Sequence, residues 1–327
     1  MFRTKSPLLV IVARWSMPIL LLPVFAGLSV PSFAQSGQEF AFAFSVNGYH
    51  AGKWFEDPAA LGLDERAGLV YVADQKAGVV DAFSLQGIAK FQYGTANGLK
   101  SPIGLAVDRS GDIYVSENDG GAVKIVNAGG KVAATIELPT DQGKEQPKPG
   151  RMKFDRDGNL YVVDRANSRI CVFDKNRVLK FAFGESGDDR GEFKLLQDVA
   201  VDRQGRIYVL DSIGIPVQVF DRKGGYLYRF GTRGEGRRDI SFPSAIAVDR
   251  NDQIWVVDSA QHSLKVFDRS GAFLTSFGSY GQGEGALFYP IDAAVSDLGR
   301  VYVLEAGARR MQVFSLARPH EPFGARP

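Results

Sequence analysis

Leu105-Ala106-Val107-Asp108-Arg109-Ser110-Gly111-Asp112-Ile113-Tyr114-Val115 is the stretch on which the fold turns, because it comes back. Met152-Lys153-Phe154-Asp155-Arg156-Asp157-Gly158-Asn159-Leu160-Tyr161-Val162 is one relative, and Val199-Ala200-Val201-Asp202-Arg203-Gln204-Gly205-Arg206-Ile207-Tyr208-Val209 is another. Residues 246–256 and 293–303 continue the series, and residues 61–72 open it with one extra residue in the turn. Asp64, Asp108, Asp155, Asp202, Asp249 and Ser296 hold one equivalent position, at spacings of 44, 47, 47, 47 and 47. A fixed period of this length marks a chain of stacked structural units.

Each copy reads as four short strands. Ile246-Ala247-Val248 is a first apolar strand, followed by an Asp-Arg-x-Gly-type turn that suits a tight hairpin. Ile254-Trp255-Val256-Val257 is β-branched and aromatic, Leu264-Lys265-Val266-Phe267 alternates, and residues 272–277 make a fourth strand ending at Gly278. No long segment after the N-terminal region has helical periodicity. The expected fold is all-β: a six-bladed β-propeller of four-stranded antiparallel blades. The last copy lacks its fourth strand, and Phe40-Ala41-Phe42-Ala43-Phe44 resembles such a strand but precedes the first copy. The ring is therefore expected to close with an N-terminal strand completing the sixth blade, which hides both edges.

Two stretches carry a family resemblance. Leu160-Tyr161-Val162-Val163-Asp164-Arg165-Ala166-Asn167-Ser168-Arg169-Ile170-Cys171-Val172-Phe173 resembles the NHL repeat, as does Phe277-Gly278-Ser279-Tyr280-Gly281-Gln282-Gly283-Glu284-Gly285 followed by Phe288 and Pro290. The resemblance spans about residues 40–314 and implies a propeller of the exported bacterial type. It implies little about activity, since propellers host many. The peptide-amidating lyases that resemble this family use a histidine-bound zinc. This chain has three histidines, His50, His262 and His320, and no Cys-x-x-Cys or His-Glu-x-x-His spacing.

The first 34 residues stand apart. Arg3 and Lys5 precede an apolar stretch from Met17 to Val30, and Ser32-Phe33-Ala34 sets small residues before a cut. That layout is a secretory signal peptide over residues 1–34, with a propeller over 35–318 and a C-terminal tail over 319–327. Pro18, Pro23, Pro31 and Arg14 interrupt any anchor-length apolar span, so the released chain is not expected to be an integral membrane protein. The expected location is periplasmic or secreted. Residues 1–34 hold Arg3, Lys5 and Arg14 and no acid, leaving 36 basic and 37 acidic residues, a net of −1. A near-neutral exported chain is not a nucleic-acid binder. One cysteine, Cys171, excludes an intrachain disulfide, and nothing marks the chain as other than a monomer. Cys171 lies in an otherwise polar column (Asp81, Lys124, Gln218, Lys265, Gln312), which places the thiol near solvent.

The second strand of every copy ends in an acid: Asp74, Glu117, Asp164, Asp211, Asp258 and Glu305. Such a ring could hold a metal, but an acid that starts a loop more often accepts that loop's own N–H groups. Departures from the repeat carry more information. Just inside the first strand the column is Ala60, Gly104, Arg151, Asp198, Ala245 and Asp292, and two residues on it is Gly62, Ala106, Lys153, Ala200, Ala247 and Ala294. Small residues fit where inner strands converge on the axis. Arg151, Lys153, Asp198 and Asp292 instead bring charge into the central channel, as an internal ion-pair network or as a polar ligand site at its mouth. His50 and His262 lie in loops on the same face and complete the candidate set. The expected function is a binding or scaffold module for a protein, peptide or glycan ligand. The alternative is a metal-dependent lyase or hydrolase using the channel. No cofactor is required by the residues; the enzyme alternative would take calcium or zinc.

Overall fold

A computed structural model of the protein describes residues 39–317. The expected signal peptide, residues 1–34, and the expected tail, residues 319–327, with His320, lie outside the described residues. Six four-stranded antiparallel sheets are arranged in a ring. The first blade comprises Pro58–Asp64, Leu69–Asp74, Val79–Ser84 and Ala89–Tyr93, and the next four follow the same order. Each inner strand packs beside the next, and Pro290–Val295 of the sixth blade returns to Pro58–Asp64 of the first. In the sixth blade the outer strand is Glu39–Val46, hydrogen-bonded to Arg310–Ala317 with Phe42 opposite Phe314. The expected ring closure is thus observed.

Hydrophobic clusters fill the joints between blades. The second strands supply one large aromatic each, Tyr71, Tyr114, Tyr161, Tyr208, Trp255 and Tyr302, all buried. The turn aspartates serve these aromatics. Asp202 accepts the turn N–H groups of Gln204 and Arg206 on Oδ1 and the Tyr208 hydroxyl on Oδ2 at 3.1 Å, and Asp249 does the same with Trp255 Nε1 at 3.2 Å. Between the second and third blades the inner strands approach too closely for a side chain: a Cβ on Gly104 would lie 2.3 Å from the carbonyl oxygen of Gly150.

The polar column that contains Cys171 is not near solvent. Cys171, Gln218 and Gln312 are fully buried and Lys265 nearly so. Gln218 and Gln312 bind the backbone of the loop that leads into their own blade's inner strand, through Glu192 O and Gly191 N in one case and Ala286 O and Gly285 N in the other. Lys265 donates to Arg237 O and Gln261. The column is polar because it anchors loops from inside. In the third blade Arg169 takes over this task, donating to Pro139 O and Asp141, and the Cys171 position is left to a thiol. Burial pushes that thiol up to about 12.

Candidate functional site

The ring of six acids is structural. Asp211 accepts N–H groups from Lys194, Leu195, Ile213 and Gly214; Asp258 accepts from Ser241, Phe242 and Gln261; Asp74 accepts from Glu56, Asp57 and Ala77. Asp164 binds Lys148 N, Asn167 and Arg169, the two local partners that lie nearest in sequence. These aspartates fasten the loop after their strand to the segment entering the inner strand, whereas Glu117 and Glu305 fasten that segment to the third strand, through Lys124 in one case and Arg310 with Gln312 in the other. No group of three or more His, Cys, Asp or Glu side chains that could hold a metal ion occurs among the described residues.

Arg151, Lys153, Asp198 and Asp292 do meet in the channel. Arg151 starts in the third blade and its guanidinium reaches the blade diametrically opposite. It forms an ion pair with Asp292 Oδ2 at 2.6 Å and donates to Ile291 O at 2.9 Å and Ala59 O at 3.0 Å. The side chain therefore bars the channel. Asp292 also accepts Leu61 N of the first blade at 2.7 Å, and Asp198 accepts Ile246 N of the fifth blade at 3.0 Å. Each of these aspartates thus ties its inner strand to the next one. Both are essentially inaccessible, at 0% and 1% exposure, and Arg151 is at 9%. Burial raises the Asp198 carboxyl's pKa, opposed by the charges of Lys153 and Arg151 and reinforced by Asp292. Burial alone would weaken the Arg151 cation, but Asp292 and Asp198 outweigh it and hold it charged. Backbone N–H groups engage both oxygens of each aspartate, Val199 N and Ile246 N on Asp198 and Ala293 N and Leu61 N on Asp292, and the Arg151 guanidinium adds to Asp292. These residues do not fit a calcium or zinc ion, which needs several open oxygen or nitrogen ligands.

The histidines lie apart from this network. His50 is exposed in the 47–57 loop, its ring 5.0 Å from that of Tyr49. His262 sits among Tyr280, Phe288 and Tyr289, with ring centroids 4.7–6.0 Å away, and its Nδ1 accepts the Tyr289 N–H at 3.0 Å. Burial lowers its pKa, which favours the neutral ring that this bond requires.

Above the Arg151 bar the mouth is lined by the residues just before each inner strand: Asp57, Ser101, Lys148, Leu195, Phe242 and Tyr289. Their carbonyls take the N–H of the residue after each acid, as Ser259 N to Phe242 O and Ala306 N to Tyr289 O show, so the backbone at each is pinned to the loop that follows the acid. Three consecutive positions are apolar and open, Leu195 at 40%, Phe242 at 45% and Tyr289 at 48% exposure. The facing three are polar. This crescent lies outside the strand positions that the repeat aligns. The signal was present one residue earlier, where large apolar side chains replace polar ones.

Comparison with known proteins fits this architecture. A family model described as a 6-bladed beta-propeller matches residues 131–224 and 203–264. No curated protein matches by sequence. Among solved structures the chain is similar to a gluconolactonase of Xanthomonas campestris, at 16% identity and TM-score 0.59 over 80% of this chain and 86% of that one. It is also similar to a streptogramin B lyase, at 15% identity and TM-score 0.58 over 85% and 98%. A virginiamycin B lyase of Staphylococcus aureus matches at 11% identity and TM-score 0.60 over 85% and 100%. At these identities the likeness is one of fold.

Proposed function

We propose that the chain is an exported, NHL-type propeller that binds a polypeptide partner at the mouth carrying Leu195, Phe242 and Tyr289, in the periplasm or outside the cell. The observation that carries this reading is the asymmetric rim: exposed apolar side chains at three successive equivalent positions on blades four to six, against Asp57, Ser101 and Lys148 at the same position on blades one to three. Exposed aromatic anchors beside charged groups are the chemistry of protein recognition. Arg151 beneath them acts as a floor, so Arg151, Lys153, Asp198 and Asp292 shape the site rather than touch the ligand, with His262 supporting Tyr289. The test is affinity capture of envelope proteins on the mature chain, with Phe242→Asp and Tyr289→Asp as controls. A partner retained by the wild type and lost at least tenfold by both variants, at unchanged thermal stability, supports the reading; equal retention by both refutes it.

A second reading, a lyase or hydrolase at the same mouth, is favoured by the names of the similar structures. Elemental analysis of the dialysed protein separates the two. Near one equivalent of calcium or zinc per chain would favour the enzyme, against the geometry of the channel carboxylates.

A further inference from the structure

The opposite face carries a cavity whose origin can be read from the repeat. Outer strands present aromatics toward the following joint: Phe91 and Tyr93 in the first blade, Phe181 and Phe183 in the third, Tyr228 and Phe230 in the fourth. Phe91 lies 6.1 Å from the second-strand aromatic Tyr71. In the second blade, Val132–Glu137, these two positions are Ala134 and Ile136. Phe154, in a column otherwise held by Leu63, Val107, Val201, Val248 and Val295, partly compensates by packing edge-on to Tyr114 at 4.9 Å. In the fifth blade Thr275 also replaces an aromatic, and there Phe40 from the sixth blade fills the gap, 5.6 Å from Trp255. The second joint has no such plug. Arg177 covers Tyr114 instead, at 5.8 Å over its ring, and donates Nε–H to the Tyr114 hydroxyl at 3.2 Å.

What remains is a cavity of about 480 Å³, within the ordinary range of small-ligand sites. Its apolar wall is Tyr114, Ile136, Phe154, Leu160 and Phe173. Its rim holds both signs of charge: Asp157, whose carboxylate accepts no bond within its own turn, and Lys175 with Arg177, whose nearest carboxylate, Asp112, is 3.8 Å away. Of the turn aspartates, Asp155 is engaged on Oδ1 by its turn N–H groups and on Oδ2 by Asn159 and Tyr161, while Asp174 accepts its turn N–H groups on Oδ1.

We infer that this cavity binds an aromatic α-amino acid, free or as the end residue of a peptide. The ring occupies the volume the second blade's missing aromatics vacate. Its ammonium meets Asp157, and its carboxylate meets Lys175 and Arg177. A flat apolar ring matches the gap, and adjacent groups of opposite sign match the rim. The site is independent of the mouth on the other face.

The test is calorimetric titration of the protein with L-phenylalanine and L-tyrosine, with L-leucine, 3-phenylpropionate and L-phenylalanine amide as probes of ring, ammonium and carboxylate. The peptides Phe-Gly-Gly and Gly-Gly-Phe separate the free amino acid from a peptide end, since each removes one of the two charges. Saturable binding of phenylalanine or tyrosine, weakened at least tenfold in leucine and in Ala134→Phe, is expected. Ala134→Phe restores the ring that other blades carry and should fold; Arg177→Gln, at an exposed turn, is the second variant and should weaken carboxylate-bearing probes only. No heat from either aromatic amino acid, or binding unchanged in both variants, overturns the assignment.

Discussion

Removing one end of the channel bar should cost far more than removing both. In Arg151→Met the guanidinium disappears, Asp292 is left without its cation at 1% exposure, and the carbonyls of Ala59 and Ile291 lose their donors. Leaving one buried charge of a pair uncompensated costs about 3–5 kcal/mol. Asp292→Asn keeps an acceptor for Leu61 N but strands the Arg151 cation, and should cost about 3 kcal/mol by the same reasoning. Arg151→Met should be the worse of the two, because Asp198 also loses a counter-charge and is left with Lys153. The double variant buries neither member of the pair as a charge and should fall within about 1–2 kcal/mol of wild type, a coupling of about 4–7 kcal/mol. Urea unfolding followed by circular dichroism gives the four free energies, and each kcal/mol should move the melting temperature by about 2–4 °C. Additive costs, or single-variant losses under about 1 kcal/mol, would show that the bar is wet and loosely held, and the floor of the proposed site would go with it.

Three further outcomes follow from the same structure. Burial raises the Asp81 carboxyl to about 6, with Gln92 opposing through a 2.6 Å hydrogen bond. The native state then holds that proton more tightly than the unfolded chain, so stability declines as pH rises from about 4 through 6. Asp81→Asn should keep the Gln92 bond, remove that slope and be more stable at pH 7 by about 1–3 kcal/mol; an unchanged slope in pH-dependent unfolding would count against it. Cys171, buried and held protonated, should resist alkylation by iodoacetamide at pH 8 in the native state and react once the chain is unfolded in urea; stoichiometric native labelling would place the thiol at the surface. Phe40→Ala removes a ring stacked 4.2 Å from Phe277 and should cost about 2–3 kcal/mol, measured by thermal unfolding, and a neutral result would mean the ring closes without it.

The architecture was readable because a propeller writes the same physical constraint six times. Asp202 and Asp249 recur since a tight turn and a buried aromatic both need the same carboxylate, and the period survives any single exception. The exceptions were visible too: Arg151, Asp198 and Asp292 stood out in a column of small residues. Their partners were not visible, because a bond from Arg151 to Ile291 O, or from Asp198 to Ile246 N, depends on how blades converge in three dimensions and not on any local pattern. The Cys171 column was misread for a related reason. Polar residues in a strand look solvent-facing, yet Gln218 and Gln312 are polar because they hold buried backbone. Leu195, Phe242 and Tyr289 escaped notice because each alone is an ordinary loop residue, and only the ring sets them side by side.

The strand Glu39–Val46 finds its partner, Arg310–Ala317, at the far end of the folded chain. During synthesis it emerges before the other propeller strands and is satisfied last. Until then the molecule is an arc with a bare edge at each end, one of them rich in phenylalanine, and open edges of that kind invite pairing with other chains. Loop-closure entropy rises only slowly with length, so the wait is long in time but not prohibitive in free energy. A nascent chain of this design has reason to be kept unfolded, by a holding chaperone or by threading through a pore, until its final strand is available.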